Sequence, residues 1–329
     1  MRLLVLGGTR FVGWAVVEQA LADGHDVTVV NRGQTGATPA AARLVTADRR
    51  TPGSLRAVAG DGFDIAVDAW SEEPRVVADA ADTLAGSVGH YVYVSTRSVY
   101  ADPLSVGADE AAPVVEADPD AGPVNYPVDK RGAELAVLRA FGPDRSVFLR
   151  AGLILGPHED IGRLPWWLRR IERGGRVLAP GPPDLPLQYV DARDLADFAL
   201  RCGALRISGA INTTGPPGVA TMRSLLEACR ATADPAAELV WTDPAVIATA
   251  GIHEWTELPI WIPPDSENIA MHSGDVSRAI AAGLQSRPIA DTVQATWEWM
   301  TSDGEPPPRP DRPIGLDPGK ESAALAQLA

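Results

Sequence analysis

The sequence predicts an α/β protein: a doubly wound parallel sheet followed by a smaller C-terminal lobe. Three observations predict it. Short apolar runs alternate with helical spacing through the first 150 or so of 329 residues. A glycine turn directly follows the first of those runs. The alternation then stops after Ala151, where prolines and tryptophans take over.

The first unit of the alternation is the most informative. Leu3-Leu4-Val5-Leu6 is a continuous apolar run, the pattern of a strand buried on both faces. Gly7-Gly8-Thr9-Arg10-Phe11-Val12-Gly13 follows it. Ala15, Val16, Val17, Ala20 and Leu21 then recur at helical spacing up to a stop at Asp23-Gly24. Val27-Thr28-Val29-Val30 is a second buried strand. A strand, glycine turn, helix and strand in this order form a βαβ unit suited to a dinucleotide. Its backbone N–H groups can approach the pyrophosphate, and the helix N-terminus adds partial positive charge. The expected fold is therefore Rossmann-type. The dinucleotide-binding domain spans residues 1–155, with about 190–213 returning to it. Residues 156–300 form mainly a substrate-binding lobe, and 301–329 a Pro-rich tail.

The remaining elements follow in order. Residues 41–47, 63–69, 90–95 and 145–150 read as further strands, and 74–84 and 125–141 as helices. Thr51 and Pro52 are an N-cap and first helical residue for a short helix over 51–59. Residues 101–123 turn to Asp, Pro, Ala and Gly, a surface loop. Beyond the break, helices are expected near 190–202, 221–230, 275–283 and 289–300, with a short strand at 210–213. A proline-rich linker at 304–313 precedes residues 321–328, read as a last short helix docked on the surface or, equally, as a disordered tail.

Composition narrows the function. A net charge of −14 argues against nucleic acid or an acidic membrane as partner, because a phosphate-binding surface leaves a basic imprint. No apolar run reaches the roughly 20 residues of a membrane helix, and no signal peptide is evident, so a cytoplasmic location is expected. Cys202 and Cys229 lack metal-ligand spacing and read as buried thiols; no metal site is expected. The expected partner is a small-molecule substrate, with the chain a monomer or homodimer.

Two further signals carry chemistry. Tyr126 and Lys130 stand at i and i+4, about one helical turn apart. A neighbouring ammonium favours the phenolate and tunes the tyrosine to exchange a proton with a carbonyl oxygen. An ordinary surface Tyr/Lys pair has the same spacing. Ser95-Thr96 ends the fifth strand, where an α/β sheet presents side chains to its ligand crevice, although such hydroxyls also cap turns.

Taken together, these stretches resemble the short-chain dehydrogenase/reductase superfamily, in its extended branch with the NAD-dependent epimerase/dehydratase group. The resemblance rests on Gly7, Gly8 and Gly13, on Tyr126/Lys130, and on Ser95-Thr96-Arg97-Ser98-Val99-Tyr100. It extends to the run from Leu149 to Pro157 and to Val190-Asp191-Ala192-Arg193-Asp194-Leu195-Ala196. It implies that Tyr126 is the general acid/base, that Lys130 binds the nicotinamide ribose and lowers the tyrosine pKa, and that Thr96 hydrogen-bonds the substrate oxygen. Thr96 is preferred to Ser95 because it stands four residues before Tyr100, the family's spacing.

The departures from the family pattern bear on activity. Arg10 replaces a usual turn glycine, a form shared by atypical members, which puts it beside the cofactor phosphates. At the end of strand two, where a carboxylate would bind the adenosine ribose of NAD, the residues are Asn31 and Arg32. A guanidinium can grip a 2′-phosphate, so NADP(H) is preferred, with NAD(H) possible. A merely solvated Arg32 is the plain alternative. Asp48 matches the position near the adenine, or is simply a charge at a helix start, and Trp70 follows strand four towards the cofactor. Arg97-Ser98 replaces the Asp-Glu pair of sugar dehydratases, which disfavours dehydration.

The reading is an NADPH-dependent reductase of a ketone, aldehyde or imine in a small, apolar or aromatic metabolite. Its alternatives are an NAD-dependent epimerase of a sugar-like substrate and a non-catalytic cofactor-binding protein. Arg97, His158, Trp166 and Gln188 are the candidate substrate contacts, with Trp167, Trp255 and Trp261 as further lining residues. Glu134 is expected to pair on the helix surface with Lys130 or Arg131.

Overall fold

The computed structural model describes residues 1–34, 38–302 and 313–328. The chain divides into two compact units. The first comprises Met1–Gly152, Ala192–Thr214 and Gly274–Gln285, and the second Leu153–Asp191, Gly215–Ser273 and Ser286–Ala329.

The first unit is built on strands β1 (Arg2–Leu6), β2 (Asp26–Asn31), β3 (Arg43–Thr46), β4 (Phe63–Asp68), β5 (Val88–Thr96) and β6 (Ser146–Ala151), with Gly209–Thr213 as a seventh. All pair in parallel, in the order Gly209–Thr213, β6, β5, β4, β1, β2, β3. Helices cover both faces, as the doubly wound expectation requires. α1 (Phe11–Ala22) packs beside Ala192–Ala204, and α2 (Pro74–Leu84) beside α3 (Tyr126–Phe141). The pleat explains the division. Leu4, Leu6, Ala66, Tyr91 and Tyr93 share one core with Val77, Ala133 and Val137 of α2 and α3. The alternate residue Ile65 points the other way, against Gly203, where an added Cβ would come within 2.7 Å of it. Each large apolar side chain so buried contributes about 1.5–3 kcal/mol before entropy is subtracted.

One local expectation is corrected. Residues 51–59 do not form a helix capped by Thr51; only a short 3₁₀ turn forms, over Ser54–Ala57. Gly53 precedes it at φ 72°, a left-handed conformation that breaks any helix begun at Thr51.

The second unit packs the helices Arg163–Glu172, Met222–Ala233 and Ile289–Ser302 against one another and beside a parallel pair, Arg176–Pro180 with Glu238–Thr242. The last helix, Pro318–Ala326, belongs to this core. Ala324 and Leu325 are buried in it, and Glu321 accepts from Arg170 at 2.6 Å and from the Leu178 N–H at 3.1 Å. The expected linker at 304–313 lies almost wholly outside the described residues. Among the described residues no helix is long and apolar enough to cross a membrane. Both cysteines are buried free thiols, as composition suggested, and burial pushes the Cys202 thiol up to about 12.

Candidate active site

The C-terminal ends of the parallel strands gather most of the predicted residues of the first unit. The Gly7 N–H donates to the Val30 carbonyl at 2.9 Å, joining the glycine turn to the end of β2. The Ala47 N–H donates to the Asn31 carbonyl at 2.9 Å, which brings Asp48 to the same edge. Leu6 lies opposite Asp68 in the register of β1 and β4, so Trp70 emerges beside the turn, and Thr96 ends β5 further along.

The turn fits a dinucleotide. Gly7 and Gly8 hold φ of 125° and 83°, which side chains rarely allow. A Cβ on Gly7 would meet nothing within 4 Å, so the turn offers open space there. A Cβ on Gly13 would stand 2.7 Å from the Gly8 nitrogen, so only glycine lets α1 begin this close to the turn. Arg10 occupies the N-cap without a side-chain cap bond. The side chains of Phe11 and Val12 are buried, so towards a phosphate they offer only backbone. Phe11 opens the helix at φ 35°, a strained conformation of the kind that clusters at ligand clamps. Thr9 lies in the same turn. Arg32 is exposed, while the Asn31 side-chain oxygen is occupied by the Gly33 N–H at 2.7 Å.

The Tyr/Lys helix lies over β5. Asn125 caps α3 by accepting from the Val128 N–H at 3.1 Å, which sets Tyr126 in the first turn with Pro127 behind it. Tyr126 is 41% exposed and Lys130, one turn on, only 3%. The Lys130 ammonium donates to the carbonyls of Trp70 and Val94, both at 2.7 Å, and lies 4.7 Å from the centre of the Tyr93 ring. Its third proton has no acceptor among the described residues. Burial drives its pKa down to about 7, against the charges of Asp68 and Glu134, which favour the ammonium, and with that of Arg49, which opposes it. Thr96 Oγ1 accepts from the Ser98 N–H at 3.1 Å and lies 3.2 Å from the Ser98 hydroxyl.

Glu134 corrects the surface-pair expectation. It is fully buried. It does bond Arg131, at 2.8 Å, but it also takes both arms of Arg150 at 3.0 Å and the Ser95 hydroxyl at 2.7 Å. Residue 134 follows Lys130 by one further turn on the sheet-facing side of α3, so a surface position was not open to it. Burial works to raise its pKa, but Arg150, Ser95 and Arg131 hold it below the usual glutamate range.

Sequence reasoning also missed a buried pair at the end of β4. Arg49 forks onto both oxygens of Asp68 at 2.7 Å each. Tyr91 donates to Asp68 at 2.7 Å, and the Trp70 N–H at 2.9 Å. The Trp70 ring lies 5.2 and 5.1 Å from the guanidinium carbons of Arg49 and Arg50. A carboxylate inside the apolar strand Phe63–Asp68 was the available signal, since buried charges need partners.

The sequence profile of the NAD dependent epimerase/dehydratase family matches residues 3–206. The chain belongs to this family. It is similar to a 2′-dehydrokanamycin reductase of Streptomyces kanamyceticus, 32% identical over 158 residues, which are 47% of this chain and 43% of the relative. It is also similar to a UDP-glucose 4-epimerase of Corynebacterium glutamicum, 27% identical over 184 residues, 49% of this chain and 54% of that one. The matched stretch thus spans about half the length of these curated relatives. In fold it resembles the Bordetella bronchiseptica enzyme WbmG in complex with NAD and UDP, with a TM-score of 0.67 at 18% identity over 92% of this chain and 96% of the other.

The substrate candidates of this family member fall in both units. Arg97, in the first, is buried against Gly274, where an added Cβ would stand 2.4 Å from its guanidinium. Burial lowers its pKa, and Tyr100 works the other way. His158, Trp166 and Gln188 lie in the second. His158 holds φ 64° and its ring lies 5.1 Å from that of Trp299. Trp166 packs edge-on against Trp167 at 4.7 Å. Gln188 is buried and donates to the Gly215 carbonyl at 3.1 Å. Trp167 and Trp261 are core residues whose indoles donate to the carbonyls of Pro259 and Gly181. Those two tryptophans therefore carry no information about the substrate.

Proposed function

We propose that this family member is an NADPH-dependent reductase of a ketone, aldehyde or imine in a small metabolite, with Thr96, Tyr126 and Lys130 as its catalytic set. The observation that carries the reading is Thr96-Arg97-Ser98 at the end of β5. The hydroxyl stands at the sheet's ligand edge, and no carboxyl acid–base pair follows it to drive elimination of water. The similarity to a 2′-dehydrokanamycin reductase supports net reduction.

In this reading the glycine turn Gly7–Gly13 and the N-terminus of α1 hold the pyrophosphate, with Arg10 beside it. Arg32 grips the 2′-phosphate, and Asn31 offers no carboxylate to repel it. Asp48 and Trp70 flank the adenine side, and the Lys130 ammonium holds the nicotinamide ribose. A reduced nicotinamide held there would supply the hydride. The Tyr126 hydroxyl gives its proton to the substrate oxygen or nitrogen, while Thr96 donates a hydrogen bond to the same atom. Lys130, buried and near its titration point, favours the phenolate left behind.

The similarity to a UDP-glucose 4-epimerase favours a second reading, an epimerase that keeps NAD bound and acts on a sugar-like substrate. Titration of the purified protein with NADPH and NADH, repeated on Arg32→Ala, separates the two. The reductase reading expects tighter NADPH binding, weakened about 10- to 100-fold by Arg32→Ala through loss of a charge-assisted contact, and NADPH oxidation with a carbonyl panel. Tightly retained NAD, or equal binding of both cofactors, moves epimerisation ahead. Binding of neither leaves a non-catalytic protein.

A further inference from the structure

We propose that the buried Arg49–Asp68 pair is a positioning device for Lys130: Asp68 holds the backbone of Trp70 at its N–H, and the carbonyl of the same residue holds the ammonium. The proposal deepens the reading above, since it takes Lys130 as the residue that meets the cofactor.

The geometry is a continuous chain of short bonds. The carboxylate of Asp68, the last residue of β4, is saturated by the Arg49 fork and by the hydroxyl of Tyr91, and it also takes the Trp70 N–H at 2.9 Å. Trp70 is thus pinned at its own N–H. Its carbonyl, in the next peptide group, accepts from Lys130 Nζ at 2.7 Å and from the Tyr93 hydroxyl at 2.8 Å. Arg49, Asp68, Tyr91, Tyr93 and Lys130 are all buried. A buried ion pair gains little stability over an apolar replacement, because desolvation offsets most of the attraction. What this pair achieves is orientation, at one of the two carbonyls that hold the lysine, the other being that of Val94.

The same arrangement sets the charge of Lys130. Burial is the largest influence and opposes the ammonium. Asp68 at the end of β4 and Glu134 on its own helix favour the ammonium, and Arg49 opposes it. The Tyr93 ring of β5 lies beside it, and Tyr126 stands one turn before it on α3. Asp68 and Arg49 therefore act on the Lys130 charge in opposite directions.

The chain contains two lysines, Lys130 and Lys320, so lysine labelled with ¹³C at Cε gives two signals, assigned with Lys320→Arg. Titrated by NMR, Asp68→Asn is expected to lower the Lys130 midpoint by about one pH unit or more, and Arg49→Met to raise it. If Asp68→Asn does not fold, the double variant Arg49→Met/Asp68→Asn removes both buried charges. Its midpoint is expected below that of the unaltered protein, because Asp68 outweighs Arg49 in setting it. A pair that only holds the fold together would, on removal, admit water and send every midpoint upward, towards about 10.4 for a free lysine. That rise in Asp68→Asn or the double variant, or no change at all, overturns the proposal. Adding NADP⁺ to the unaltered protein tests the underlying reading separately. The Lys130 signal is expected to move. If it stays while the variant shifts hold, Lys130 is not a cofactor contact, and the positioning of its ammonium stands alone.

Discussion

The Ser95 hydroxyl donates to Glu134 at 2.7 Å, in the buried seam between β5 and α3. Its neighbour Thr96 makes no such bond inward and instead caps the turn at the strand end. Two adjacent hydroxyls of similar chemistry are thereby divided: one is tied into the buried seam, and the other is bonded to Ser98 at the strand end.

This division predicts opposite phenotypes. Ser95→Ala removes one donor from a buried carboxylate that keeps Arg150 and Arg131, and is expected to cost about 1–2 kcal/mol of stability. It should leave NADPH affinity in place. Thr96→Val is expected to cost turnover with carbonyl substrates instead. Denaturant midpoints and steady-state kinetics on both variants check the assignment, and a turnover defect confined to Ser95→Ala would reverse it.

Glu134→Gln removes the charge and one of the two acceptors that face Arg150, which is buried and held by both of its arms. Loss of one partner of such a pair costs about 3–5 kcal/mol. The carboxyl titrates below its ordinary value of 4.5, so its contribution is complete above that value and is lost as the pH falls through the folded value beneath it. The variant is therefore expected to be less stable at neutral pH yet to lose less stability on acidification. Thermal melts across the acid range measure both.

These networks also mark how much the sequence reveals. The strands, α1 and the Tyr126/Lys130 pair were legible because each is a local pattern, a periodicity or a spacing of four. The glycine turn was legible because its neighbours in the chain are also its neighbours in space. Ser95, Glu134 and Arg150 were not legible as a unit. They meet only because β5 and β6 pair with Ser95 opposite Arg150, and α3 crosses over that register. Arg49 and Asp68 join in the same way, across the end of the sheet. A charged residue inside an apolar strand, as in Val147-Phe148-Leu149-Arg150, announces that a partner exists but not which one.

Gly13→Ala separates helix propensity from ligand geometry. Alanine is favoured over glycine inside a helix by about 1 kcal/mol. At this position, however, the added carbon would stand 2.7 Å from the Gly8 nitrogen and 3.0 Å from its Cα. The glycine turn must open to admit it, and the N–H groups that the proposed reading assigns to the pyrophosphate move with it. The variant is expected to fold and to bind NADPH at least about tenfold more weakly, a loss of about 1.4 kcal/mol. Unchanged affinity by calorimetry would remove the turn from the cofactor site.

Tyr126→Phe tests the proton donor. The residue is 41% exposed at the start of α3, so the hydroxyl can be deleted with little disturbance of packing. Loss of a positioned general acid costs about 10²- to 10⁴-fold in turnover. NADPH affinity is expected to persist, because Lys130 and the glycine turn are untouched. Retained turnover in this variant would exclude Tyr126 as the acid.

Glu159 supplies a pH dependence of opposite sign in the second unit. It is buried just before the helix Arg163–Glu172 and accepts the N–H groups of Arg163 and Leu164 at 2.9 and 3.1 Å. Burial raises its pKa to about 7, although Arg163 and the two N–H bonds work against it. The folded state thus holds this proton more tightly than the unfolded chain does. The resulting stability is complete below the unfolded value of about 4.5 and is lost as the pH rises through about 7. Glu159→Gln removes the titration while keeping one acceptor for the helix end. Whatever fixed cost the amide carries, the stability difference is expected to move in favour of glutamine by up to about 3 kcal/mol between about pH 4.5 and pH 8. Urea melts of both proteins over that range decide it: a constant difference would mean that Glu159 is ionised in the folded protein throughout, with the two helix N–H groups outweighing its burial.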